Sequence, residues 1–149
     1  MKMYFQNDFE RDLLAAYDRL IRECGVKSLL ISPRDLVAQV VHSPAPKFYI
    51  TYEMARRNVS ALLRGRLPDC HNKLKRQMYA DIARLTMAYQ RRHPRYADDF
   101  NGALMAVLSE YQAPRFYISE KSAYNRLCTL MRKRRIENRK KLLKNVCDE

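Results

Sequence analysis

Apolar residues recur every third or fourth position through most of the chain, and short polar or proline-bearing breaks separate the runs. Phe9, Leu13, Ala16, Tyr17, Leu20 and Cys24 form one such stripe, the signature of an amphipathic helix. Asn7 precedes it as a cap, Glu10 closes a capping box, and Gly25 stops it. Leu29-Leu30-Ile31 then reads as a buried connector. Ser32-Pro33-Arg34-Asp35 predicts a helix start, with a capping hydroxyl, proline in the first turn and an acid near the positive end. Leu36, Val37, Val40 and Val41 give that helix its apolar side, and Ser43-Pro44-Ala45-Pro46 ends it. Phe48-Tyr49-Ile50 is extended, and Thr51 caps a helix to about Gly65 with Ala55, Val59 and Leu62 inward.

After Leu67-Pro68-Asp69, the boundary between halves, the order recurs. Leu74, Met78, Ile82, Leu85 and Tyr89 mark a helix, His93-Pro94-Arg95-Tyr96 a turn, and residues 98–111 a second helix. Ser119 then caps a last helix with Ala123, Leu127 and Leu130 inward. The expected fold is all-α: two tandem three-helix, helix-turn-helix-like repeats over residues 1–66 and 67–135, and a basic C-terminal helical extension over 136–149. The two repeats are short enough to share one core.

The recurrence is explicit in the residues. Ala-Pro-Lys-Phe-Tyr-Ile-Thr at 45–51 returns as Ala-Pro-Arg-Phe-Tyr-Ile-Ser at 113–119. At the same offset Leu36 meets Leu104, Ala38 meets Ala106, Val40 meets Leu108, Ala55 meets Ala123 and Val59 meets Leu127. Agreement falls on small and apolar positions, whereas Tyr52, Glu53, Arg56 and Arg57 stand against Glu120, Lys121, Tyr124 and Asn125. A core has been kept and a surface has diverged, as expected of an internal duplication.

Charge changes the picture of the partner. Lys and Arg total 29 against 16 Asp and Glu in 149 residues, a net charge of +13. Residues 1–30 are balanced, so the surplus lies in the repeated part and its extension. A local surplus is the footprint of a polyanion partner. A short helix, a link and a capped basic helix outline a DNA-reading unit whose second helix enters the major groove. The candidate contacts are Tyr52, Arg56, Arg57 and Arg64 in the first copy and Lys121, Tyr124, Asn125 and Arg132 in the second. Lys133, Arg134, Arg135 and Arg139 extend the second set. Arg suits the guanine edge and Asn the adenine edge, while Lys and distal Arg hold phosphate. The link from Ser43 to Ile50 is longer than a usual turn and lacks glycine, which departs from the common pattern. The plain alternative is a set of solvated helix faces.

The doubled A-P-x-F-Y-[IVL]-[ST] element resembles that of small uncharacterised bacterial proteins, and the whole is loosely similar to helix-turn-helix DNA-binding proteins. That resemblance implies no activity. The expected partner is double-stranded DNA, for a transcriptional regulator or accessory factor. A helical adaptor whose basic tail meets an acidic protein, or an RNA-binding factor using Phe48-Tyr49 and Phe116-Tyr117, remains open. In those segments Phe and Ile are expected inward and Tyr at the rim.

No enzyme is expected, since His42, His71 and His93 are scattered and no phosphate loop or nucleophile elbow occurs. No cofactor or metal is expected, because Cys24, Cys70, Cys128 and Cys147 form no paired ligand motif and Cys70-His71 has no second half. The cysteines read as reduced thiols of a cytoplasmic protein, and no membrane segment or leader is evident. Oligomeric state is not legible.

Overall fold

The computed structural model describes residues 5–66 and 72–147. The fold is all-α, with helices α1 (Gln6–Cys24), α2 (Pro33–Val41), α3 (Tyr52–Leu63), α4 (Lys73–Arg92), α5 (Phe100–Glu110) and α6 (Glu120–Cys147). Short 3-10 turns occupy Gly25–Leu30 and Pro94–Tyr96. The boundary at Leu67-Pro68-Asp69 and the Cys70-His71 pair lie outside the described residues.

Side chains start most of the helices as their residue types require, whereas Asn7, expected to cap the first, lies inside α1, which begins at Gln6. Ser32 Oγ accepts the Asp35 amide at 3.2 Å, Thr51 Oγ1 that of Met54 at 3.3 Å, and Ser119 Oγ that of Ser122 at 3.1 Å. Asn72 caps α4 through the amides of Leu74 and Lys75, and Asp99 caps α5 through Gly102. A Cβ at Gly102 would fall 2.2 Å from Asp99 Oδ2, so a larger residue there would make the capping carboxylate turn.

Two compact units result. One comprises α3, α4 and α5 with both Ala-Pro-x-Phe-Tyr segments, and α3 packs on α4 and α5. Its buried residues include Ala55 and Val59 of α3, Ile82 and Thr86 of α4, and Ala103, Leu104 and Val107 of α5. Thr86 is tolerated there because its hydroxyl donates to the Ile82 carbonyl at 2.8 Å. Asn58 is likewise buried, its amide donating to the Met54 carbonyl at 2.8 Å; it lies on the stripe of Ala55, Val59 and Leu62, and only its polar side chain hides it as core in the sequence. Around Tyr89, Ala103 and Val107 lie Leu85, Tyr96, Ala106 and Tyr111.

Within that unit the duplicated blocks pair with each other. Ala45 donates to the Ala113 carbonyl at 2.9 Å and Ala113 donates back to Ala45 at 3.0 Å, an isolated antiparallel bridge. The Phe48 ring stacks on Tyr117 at 6.2 Å between centroids, and the Tyr49 ring stacks on Phe116 at 6.4 Å. Lys47 Nζ lies 5.7 Å from the Tyr49 centroid, and the Arg115 guanidinium 6.0 Å from that of Tyr117. Most of the repeated letters have a cause in this pairing. Alanine lets two backbones meet, and the proline after it restricts that alanine to extended geometry. Phe fills the core, Tyr stacks on the other copy's Phe, and the base covers its own Tyr. Phe48 and Phe116 are buried and the two tyrosines half-buried, as expected, but Ile50 and Ile118, expected inward with Phe, are only half-buried too.

The other unit comprises most of α1, α2 and α6, and α2 packs on α6. Phe9 and Leu13 of α1, Leu36, Val37, Val40 and Val41 of α2, and Ala123 and Leu127 of α6 are buried in it. The expected buried connector is corrected here. Leu29 and Leu30 are 84% and 87% exposed, because Gly25, at φ +57°, ends α1 and the chain winds into a 3-10 turn whose side chains face outward. Helix α6 continues through the basic block after Arg132 to Cys147, over 28 residues in all.

Phe116→Ala should cost about 3–5 kcal/mol by chemical denaturation, whereas Leu142→Ser on the exposed end of α6 should stay within about 0.5 kcal/mol. A second expectation concerns pH. Burial, and then the Asp81 carboxylate that accepts its hydroxyl at 2.5 Å, push the Tyr117 phenol up. Below about pH 10 the phenol is neutral in both states and this contribution is complete; above it only the unfolded chain gives up the proton, so stability falls as pH rises. Tyr117→Phe should therefore make the loss of stability above pH 10 shallower, with Tyr17 and Tyr89, shifted in the same direction, supplying the remainder.

Candidate nucleic-acid interface

Helix α6 carries bases on several sides, and four of them fall along one exposed stripe. Positions 121, 125, 128, 132, 135 and 139 advance by alternating steps of four and three, which keeps them on one stripe of a 3.6-residue helix. Lys121, Asn125, Arg132, Arg135 and Arg139 on that stripe are exposed, and Ala123 and Leu127 face the opposite way into the core. From Lys121 to Arg139 the stripe runs roughly 27 Å at the helical rise per residue. Glu120 and Glu137 are the acids of α6 against Lys121, Arg126, Arg132, Lys133, Arg134, Arg135, Arg139, Lys140, Lys141 and Lys144.

At the start of the stripe Lys121, Tyr124 and Asn125 come together as expected, lining a depression with Glu120 and Arg34. Arg34, in the first turn of α2, sets its guanidinium 5.4 Å from the centre of the half-buried Tyr124 ring. Reading one copy at a time could not find Arg34, because α2 belongs to the first copy and α6 to the second. At the repeat offset Arg34 corresponds to Gly102, and Tyr124 to Arg56. The cation and aromatic ring of one unit thus have a glycine and an arginine as counterparts in the other.

Further along, Arg132, Arg134 and Arg135 border a depression with Cys128 and Met131. Arg134 points to a protein partner: its Nη1 and Nη2 donate to Asp18 of α1 at 2.8 and 3.3 Å, and this contact raises its pKa. Lys133 lies on another side, beside Glu10, Asn125, Arg126 and Thr129. Arg126, also unmarked by the sequence, rests 5.7 Å from the Phe9 ring centre. Tyr17 of α1 faces Cys128 and Tyr124, and burial, followed by those neighbours, pushes its phenol up.

The first-copy candidates lie on α3 in the other unit. Arg57 and Arg64 are exposed and Tyr52 is half-buried. Arg56 donates to Glu53 at 3.0 Å, an exposed i,i+3 pair that offsets its charge locally and raises its pKa. The α3 face is therefore less positive than the α6 face.

Among the described residues no helix is long and apolar enough to cross a membrane, and no group of three or more His, Cys, Asp or Glu is arranged to hold a metal ion. Cys24 and Cys128 are half-buried thiols and Cys147 is exposed. No family model, curated protein or solved structure matches the chain.

Asp18→Asn removes an exposed pair and should lower stability by about 0–1 kcal/mol in denaturant titration. A loss several times larger would make the Asp18–Arg134 contact the principal anchor of α1.

Proposed function

We propose that the protein binds double-stranded DNA as a transcriptional regulator or accessory factor, with α6 as the principal contact. The observation carrying this reading is the exposed stripe from Lys121 to Arg139 opposite the buried face of the same helix. A continuous basic helix of this length suits the major groove, as in DNA-binding proteins whose basic regions are uninterrupted helices. Lys121, Arg132, Arg135 and Arg139 would hold phosphates or guanine edges, and Asn125 has the donor and acceptor that match adenine. Arg57 and Arg64 on α3 are a second, weaker set, since Arg56 already has Glu53 beside it.

Arg134 serves the fold through Asp18 in this reading, and Lys133, on another side of α6, is a peripheral phosphate contact. The aromatic pairs of the duplicated blocks stack on each other, which favours duplex binding over an RNA reader built on those rings. A protein partner is the second reading. It is favoured by Leu142, Leu143 and Val146, each at least 65% exposed at the end of the basic helix.

Binding to a 30-base-pair duplex should weaken steeply with salt. The logarithmic slope falls by about 0.9 per phosphate contact, so Arg132→Ala, Arg135→Ala and Arg139→Ala together should flatten it by about 3. Fluorescence anisotropy across 50–200 mM salt measures this. An unchanged slope removes α6 from the interface, and preferential binding to structured RNA at equal charge transfers the reading to RNA.

A further inference from the structure

We infer that the Ala-Pro-x-Phe-Tyr block is a self-recognition element, whose partner is the same block in the other half of the chain or in the other half of a second copy. This goes beyond the DNA-binding reading and does not rest on it.

The contacts are reciprocal. Each alanine gives one hydrogen bond and takes one, and each phenylalanine stacks on the opposite tyrosine. Such mutual pairing is how identical patches meet across a twofold interface. Here both patches belong to one polypeptide.

Helix packing also crosses between halves in each unit, although α4 and α5, both of the second half, pack on each other as well. In one, α3 of the first half packs on α4 and α5 of the second; in the other, α2 of the first half packs on α6 of the second. Arg34 on Tyr124, Arg126 on Phe9 and Arg134 with Asp18 are also bonds between halves. A half alone therefore lacks the surfaces that bury Phe48 or Phe116, Leu36 and Leu127. The chain linking the halves holds them at high local concentration, but the recognition lies in the contacts. Exchange of halves between two copies reproduces every one of these contacts, which is the condition for a swapped assembly.

The test uses the whole chain with a protease recognition sequence inserted between Pro68 and Asp69, cut after folding. Cut halves should co-elute as a 1:1 species at micromolar concentration, and their melting temperature should rise with protein concentration, as that of the uncut chain does not. Mixing cut protein that has an affinity tag on its first half with untagged cut protein should bring untagged second halves into the tagged fraction. Phe48→Leu and Phe116→Leu, which keep apolar bulk while removing a stacked ring, should each raise the dissociation constant of the halves about tenfold or more. Halves that separate as independently folded species would overturn the inference. So would halves that stay together with a dissociation constant unmoved by either leucine variant, since the helices alone would then hold them.

Discussion

Two alanines set the arrangement on which the rest depends. Ala45 and Ala113 exchange a pair of backbone hydrogen bonds while both are about 99% buried, so the two copies of the repeated segment meet at their backbones. Any larger side chain would push the segments apart and separate Phe48 from Tyr117 and Tyr49 from Phe116. The flanking prolines are consistent with this, because they bias each alanine toward the extended geometry that an antiparallel pair needs. The retained seven-residue block is thus an account of self-pairing.

Within each unit, helices of the two halves also complete each other. Leu36, Val37, Val40 and Val41 lie on the face of α2 buried in the unit that α6 completes, and Ala103, Leu104 and Val107 on that of α5 in the unit that α3 completes. Of these, Leu36 and Leu104 agree between copies and Val40 stands against Leu108, whereas Val41, Ala103 and Val107 stand against Ser109, Asp35 and Gln39, so the two helices fill their units differently. The outward positions of the two units differ in charge. One unit acquired Arg34, Lys121, Tyr124 and Asn125 around one depression, with the long basic stripe behind them. The other has Arg56 beside Glu53, and Gly102 where a cation would otherwise stand. This asymmetry is why the functional proposal rests chiefly on α6.

Much of this was legible in the chain, for identifiable reasons. Ser32, Thr51 and Ser119 mark helix starts because a side-chain oxygen before a helix meets a local need. Stripes such as Leu36–Val41 and Ala123–Leu127 are local too, and they name buried faces without naming what covers them. The partners were hidden because they are not local. Arg34 comes to Tyr124 from the other copy, and Asp18 reaches Arg134 across 116 positions. Leu29 and Leu30 misled for a different reason: apolar composition suggests burial, but a 3-10 turn satisfies its own backbone and can leave its side chains in water. In the candidate site, charge and position on α6 were readable, as was the i,i+3 pairing of Arg56 with Glu53, whereas the loss of Arg134 to the distant Asp18 was not.

The central claim is that the pairing of Ala45 with Ala113 belongs to the cooperative core of the protein. Amide hydrogen exchange at these two residues tests it most directly, since both lie outside helices, where unpaired amides exchange freely. The account predicts protection of about 10⁴-fold or more at both, comparable to buried amides of α4 such as that of Ile82. Exchange of either amide within about tenfold of the unprotected rate, while Ile82 remains protected, would contradict it.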